Sequence, residues 1–168
     1  VTKVFDVNDG NAGCIGCVCI SGSKGSAYTA YINPDNTEYF VIDYWTHEVG
    51  HQFGANHTYT YVKETNNPSQ IEPGSGSTIM GYAGITGATD VQPHSDDLFS
   101  CASIAQISNY IESATGGGRC DVPTVTGNHA PTVSAGAARS IPKSTPFTLT
   151  GTASDADAGN VLSYCWEQ

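Results

Sequence analysis

Residues Asp43–Tyr59 read DYWTHEVGHQFGANHTY, and the spacing inside this stretch decides what the rest of the chain has to build. His47 and His51 stand four apart, so on a helix they lie one above the other on one face and can aim a ring nitrogen at the same point. Glu48 sits beside the first of them. Gly54 follows His51 by three residues, where a helix can end in a left-handed turn that glycine adopts cheaply, and the turned chain can bring back His57 as a third member. Asp43 reads as the N-cap of this helix, with Tyr44, Val49 and Phe53 as the apolar groups expected to be buried around it. At average residue usage, five fixed identities at this spacing recur by chance on the order of once in a million starts or less. Ordinary surface histidines are therefore a poor account of the pattern.

Three imidazoles at one point suit a zinc ion that keeps one position open, the arrangement of catalytic rather than structural sites. A carboxylate next to the first ligand can take a proton from water and return it to a leaving amine. The expected reaction is peptide hydrolysis, with His47, His51 and His57 as ligands, Glu48 as general base and acid, and protein or peptide substrates.

The composition narrows the setting. Six Lys+Arg against sixteen Asp+Glu give a net charge of −10 over 168 residues, which opposes binding to nucleic-acid phosphates or an anionic membrane surface. No apolar run reaches the ~20 residues of a membrane span. Val1–Val7 carries neither a leader nor a cap and reads as the continuation of something upstream. The six cysteines, Cys14, Cys17, Cys19, Cys101, Cys120 and Cys165, together with loops rich in Ser, Thr, Gly and Asn, predict a secreted, extracellular protein with disulfides. Cys14, Cys17 and Cys19 can also be read as a metal or redox cluster, although no second Cys or His pair stands at zinc-finger spacing. Six cysteines allow fifteen pairings, and the residues alone leave the choice open.

Along the chain, Cys14–Ile20 (CIGCVCI) reads as a short strand and Gly25–Ile32 as weakly extended, with a turn at Asn33–Asn36. Thr58–Thr78 is a long polar segment with no period, of the kind that is functional or mobile. Ser100–Ala114 reads as an amphipathic helix capped by Ser100, with Ile104, Ile107 and Ile111 on one stripe, and Gly116–Gly118 stops it. From Val122 the composition turns to Pro and Thr. Beyond it, Phe147–Gly151 and Val161–Trp166 alternate as strands around the turn Asp155–Asn160. That is β-sandwich language, in a run far shorter than the ≈ 100 residues of a complete sandwich.

HEVGHQFGANH at 47–57 followed by STIMGY at 77–82 resembles the metzincin metalloproteases, and the adamalysin/reprolysin branch with its bacterial secreted members in particular. The resemblance implies an α+β catalytic domain at 1–121, truncated at its N-terminus, whose Met80 turns beneath the metal as an apolar floor. It implies that Ala12, Gly13, Cys14, Ile15, Gly16, Cys17 and Val18 form the edge strand that binds extended substrate. It also implies a disulfide between Cys19 and Cys120, and a C-terminal helix after Phe99–Cys101. Tyr82 matches a fifth ligand or oxyanion donor of other branches; the alternative is a packed, hydrogen-bonded tyrosine. Residues 122–133 are then a linker, and 134–168 resemble the beginning of a polycystic-kidney-disease or cadherin-like sandwich module, an incomplete all-β segment. Asp155 and Asp157 are candidates for structural Ca2+, without the glutamate of an EF-hand loop.

His94, in QPHSDD, and His129, in the linker, read as solvated loop histidines. A competing reading of the whole chain is a non-catalytic, zinc-retaining binding or adhesion module derived from a protease. Substrate specificity, activation by a propeptide and oligomeric state have no signature in the sequence.

Overall fold

The computed structural model describes residues 8–32, 37–117 and 120–166. The expectations at Val1–Val7, at the turn Asn33–Asn36 and at Gly118 lie outside the described residues. The chain divides into two compact units, one within 1–122 and one at Pro123–Trp166.

In the first unit, strand β1 (Asp9–Asn11) pairs antiparallel with β2 (Tyr28–Ala30), Gly10 facing Thr29. A helical run follows: α1 (Thr37–Tyr39), a π-helical segment (Phe40–Thr46) and α2 (His47–Gln52). The π segment FVIDYWT is rich in β-branched and aromatic residues, which fit the ordinary α turn poorly. Tyr31, just after β2, packs its ring 6.0 Å from Phe40 and 5.2 Å from Tyr44, anchoring the sheet on this wide turn.

Asp43 is thus inside a helical run and caps nothing. Its carboxylate instead accepts from Ser95 N (2.9 Å) and meets Nδ1 of His94 (2.8 Å). An N-cap needs free N–H groups ahead of it, and the upstream turns have already used that position. Nor does α2 bury the apolar groups expected. Its buried residues are His47, Glu48, Gly50, His51 and Gln52, while Val49 and Phe53 are half-buried.

The C-terminus of α2 is closed as a Schellman motif. Gly54, at φ +97°, donates to His51 O (2.9 Å), and Ala55 N donates to Gly50 O (3.0 Å). The segment read as the edge strand also donates to carbonyls of the helix end. Gly16 N reaches His51 O (2.8 Å), and Cys17 N and Val18 N reach Gln52 O (2.9 and 3.2 Å). Residues 12–20 accordingly form turns and no strand. Gly13 and Gly16 both stand at φ +73° and Cys19 at +67°. Cys14 and Cys17 are disulfide-bonded with Cα atoms 6.1 Å apart, whereas three residues of extended chain span about 10 Å. The alternation of small and apolar residues looked like a strand, but the cross-link and the helix end decide the backbone.

Helix α3 (Cys101–Glu112) starts at Ser100, which is fully buried and whose Oγ accepts from Ser103 N (3.1 Å). The helix and its cap match the sequence, but the stripe is rotated. Ile107 packs on the core formed by Ala55, Ile79 and Met80, together with Ile42 and Phe99. Ile104 and Ile111 are exposed, and Ser103 and Tyr110 face inward instead. Tyr110 donates to Val18 O (2.6 Å) and lies against Gly16 and Gly54, tying the cysteine loop to the end of α2. Cys19 and Cys120 are disulfide-bonded.

The second unit contains one two-stranded antiparallel sheet, β3 (Thr132–Ser134) with β4 (Thr152–Ser154), Val133 facing Ala153. Neither Phe147–Gly151 nor Val161–Trp166 is a strand. A sandwich requires two facing sheets with buried inner faces. Here no described residue from 123 to 166 is buried.

Candidate metal centre

His47 and His51 project from one face of α2, and the Schellman turn returns His57 to them. The three offer ligand nitrogens that all lie within 4.8 Å of one another. Nε2 of His51 and Nε2 of His57 are 3.0 Å apart. The other nitrogen of each ring is already engaged: His47 Nδ1 with Ile79 O (2.6 Å), His51 Nδ1 with Ala55 O (2.7 Å) and His57 Nδ1 with Glu64 Oε1 (2.8 Å). Carbonyl and carboxylate oxygens only accept, so each Nδ1 carries the proton and each Nε2 presents a lone pair to the common point.

Burial favours this neutral form. It lowers His47 from 6.5 to about 3 and His51 to about 4, with the neighbouring imidazoles acting in the same direction, and it lowers His57 against the opposing pull of Glu64. Three converging neutral imidazoles form a donor set that fits a divalent ion of borderline softness such as zinc.

Glu48 is buried beside the triad, over Gly10 of β1, where a Cβ would meet its carboxylate. Desolvation raises it from 4.5 to about 7, and the charge of Asp9 adds to the shift. A glycine in β1 is therefore what lets the carboxylate sit against the strand.

Met80 is completely buried on the other side of α2. A Cβ on Gly50 would come within 2.5 Å of Met80 Sδ, so this approach of helix and methionine exists only with glycine at that position. The Met80 segment also supports the ligands through its backbone. Ile79 O receives His47, and Met80 O accepts from Thr58 N (3.1 Å), next to His57. The ring of Tyr82 lies 4.6 Å from that of His57 and 5.6 Å from that of His47. Burial, and then the charge of Glu48, push its hydroxyl up to about 12, so it remains a neutral donor.

Two hollows share Glu48 and Tyr82. One, of about 520 Å³, is lined among others by Tyr31, Tyr44, His47, Ile85 and His94. The other, of about 230 Å³, is bounded by Gly10–Ile15, His51 and His57. Of the residues assigned to a substrate edge strand, Ala12, Gly13, Cys14 and Ile15 line this second hollow as a loop. Gly16, Cys17 and Val18 serve the end of α2 instead.

Sequence reasoning missed the carboxylates of the long polar segment. Glu64 pairs with His57 and accepts from Tyr59 OH and from Asn67 Nδ2 (2.7 Å). Glu72 accepts from Thr58 Oγ1, Ser77 N (3.0 Å), Thr78 N (3.0 Å) and Thr78 Oγ1 (2.6 Å), tying the residue after His57 to the approach to Met80. No periodicity marks either one, because their partners are set by the path of an irregular loop. His94 is also more than a solvated histidine, since it stacks on Tyr39 with centroids 3.4 Å apart as well as pairing with Asp43.

In the second unit, His129 N and Nδ1 both meet the Asp157 carboxylate (2.6 and 2.9 Å). Asp155 accepts from Asp157 N (2.8 Å) and Asn160 Nδ2 (3.2 Å). These carboxylates are engaged by protein donors, and the calcium expectation finds no support in the geometry.

Among known protein families, the one described as Metallo-peptidase family M12B Reprolysin-like matches residues 2–111, more than half of the chain and all of the triad, Glu48 and Met80. No curated protein and no solved structure matches the chain. No helix among the described residues is long and apolar enough to cross a membrane.

Proposed function

The chain belongs to the M12B reprolysin-like metallopeptidase family, and on that footing we propose that it is a secreted zinc endopeptidase of the metzincin type. The observation that carries this reading is the commitment of all three histidine Nδ1 atoms to acceptors, which leaves three Nε2 lone pairs at one point with Glu48 beside them. His47, His51 and His57 would hold the ion, with the Ile79 carbonyl orienting His47 and Met80 packed beneath α2. When bound, zinc supplies a Lewis acid that acidifies water and polarises a carbonyl.

Glu48 does the proton work. Its raised pKa of about 7 suits a group that takes a proton from water at neutral pH and gives it to the departing amine nitrogen. Tyr82, whose ring lies beside those of His57 and His47, would serve as a donor to the developing oxyanion. Extended substrate lies along β1 and the 12–15 loop, with side chains entering the hollows on either side of Glu48. Secretion is supported by the two disulfides, Cys14–Cys17 and Cys19–Cys120, which suit an oxidising compartment.

Glu48→Gln separates catalysis from metal binding. The variant should retain zinc and lose peptidase activity by about 10²–10⁴-fold, the usual contribution of a positioned acid or base. Hydroxamate-sensitive digestion of a peptide library by the parent is the accompanying assay. If the zinc-loaded parent leaves the library intact, the binding or adhesion reading replaces this one. Undiminished cleavage by the variant would instead refute the role of Glu48.

A further inference from the structure

The three ligands are not held alike. His47 and His51 are fixed by α2 and donate to uncharged backbone carbonyls, whereas His57 comes after the helix has ended and has a carboxylate partner. We propose that Glu64 is a positioning residue of the metal centre, which holds the Nδ1 proton of His57 and thereby orients and strengthens it as a zinc ligand. The proposal rests on the zinc-peptidase reading above.

The carboxylate is itself held in place. Tyr59, whose ring stacks 4.8 Å from that of His57, donates its hydroxyl to Glu64 Oε1. Asn67 Nδ2 bridges Glu64 Oε2 (2.7 Å) and the His57 carbonyl (2.8 Å), so one side chain ties the ligand's backbone to its partner's carboxylate. Gln70 closes the loop from outside: its Oε1 accepts from Glu64 N (2.8 Å) and its Nε2 donates to Tyr59 O (2.8 Å) and Val62 O (2.6 Å). None of these bonds made by Gln70 involves His57. A carboxylate behind a metal-bound imidazole fixes the tautomer and raises the basicity of the other nitrogen. An uncharged amide at the same place can accept the hydrogen bond without supplying the charge.

The test uses the full chain and measures zinc affinity by chelator competition, the visible spectrum of the cobalt(II)-substituted protein, and thermal unfolding of the metal-free protein. Glu64→Ala should weaken zinc binding about 10–100-fold and shift the cobalt bands. Glu64→Gln should fall between Glu64→Ala and the parent. Gln70→Ala, which loosens the same loop but leaves the Glu64 carboxylate present, should cost less zinc affinity and shift the cobalt bands less than Glu64→Ala. Parental zinc affinity in Glu64→Ala would overturn the proposal, as would equal losses in Glu64→Ala and Gln70→Ala, which would mean the loop alone matters. A parent that binds no zinc would sink the zinc reading and this proposal together. A parent that binds zinc but cleaves nothing removes only the peptidase activity and leaves the Glu64 result standing.

Discussion

The polar loop 58–78 and the unit Pro123–Trp166 share much of their composition, both being rich in Ser, Thr, Asn, Gly and Pro, yet only the first becomes an ordered support. In the loop, Thr58 and Ser75 are completely buried and Tyr59, Ser69 and Thr78 nearly so. Its order comes from two carboxylates, each gathering several donors, at the edge of a small apolar core that contains Met80. In Pro123–Trp166, Asp155 gathers donors of a turn and Asp157 those of His129, while Val133, Phe147 and Val161 remain exposed. All four carboxylates are half-buried, but the donors Thr58, Tyr59 and Thr78 of the loop are buried and leaving them unmet is costly, whereas an exposed donor such as His129 can trade its carboxylate for water.

That contrast can be broken most severely by removing the metal. At a free zinc concentration a thousandfold above its dissociation constant, binding adds about 4 kcal/mol to the folded state. A chelator should therefore lower the unfolding temperature and raise amide exchange around 47–58 and 78–82. Exchange through 123–166 should be fast with or without zinc. Hydrogen-exchange mass spectrometry reads both, and an equal response in the two regions would count against the contrast.

Glu72→Ala comes next. It strips the acceptor from Thr58 Oγ1, Ser77 N and both donors of Thr78, and should destabilise by about 3 kcal/mol in urea unfolding. The matched change Asp157→Ala, at a carboxylate whose partner His129 is exposed, should leave the main unfolding transition where it is. If both variants behave alike, burial is not what separates the two regions.

The smallest expected effect is at the floor of the site. Gly50→Ala forces Met80 Sδ and Phe99 to yield to the new Cβ and should cost about 1–3 kcal/mol. Adding Met80→Ala should relieve part of that loss if the clash is its cause, because the two changes then fail to add. A double-mutant cycle by denaturant unfolding measures the coupling.

Much of the metal centre was legible because its determinants are local. Four-residue spacing on a helix and a glycine at the helix end are rules of backbone geometry, and α2 with its Schellman turn obeys them. The Ser100 cap of α3 was legible for the same reason. The misreadings in the first unit involve competition from elsewhere in the chain. Asp43 has the chemistry of an N-cap, but helix already precedes it and His94 and Ser95 claim its oxygens. Cys14–Ile20 has the composition of a strand, but its N–H groups complete the end of α2 and its cysteines close a three-residue loop. Ile104 and Ile111 have the right period, but the core meets α3 on the face of Ser103 and Ile107.

By itself, then, the sequence determined the histidine trio, the neighbouring Glu48 and the glycine that turns His57 toward the others, since each depends on spacing along a few residues of backbone, while the role of the lone methionine was implied only by the family resemblance. Only the tertiary structure decided which oxygen orients each ring, that Glu64 and Glu72 are the acids the loop is built around, and that Gly10 and Gly50 clear space for Glu48 and Met80. Those choices depend on where an aperiodic loop passes in space. That path is set by the sum of many hydrogen bonds between residues far apart in sequence, and no local pattern encodes it.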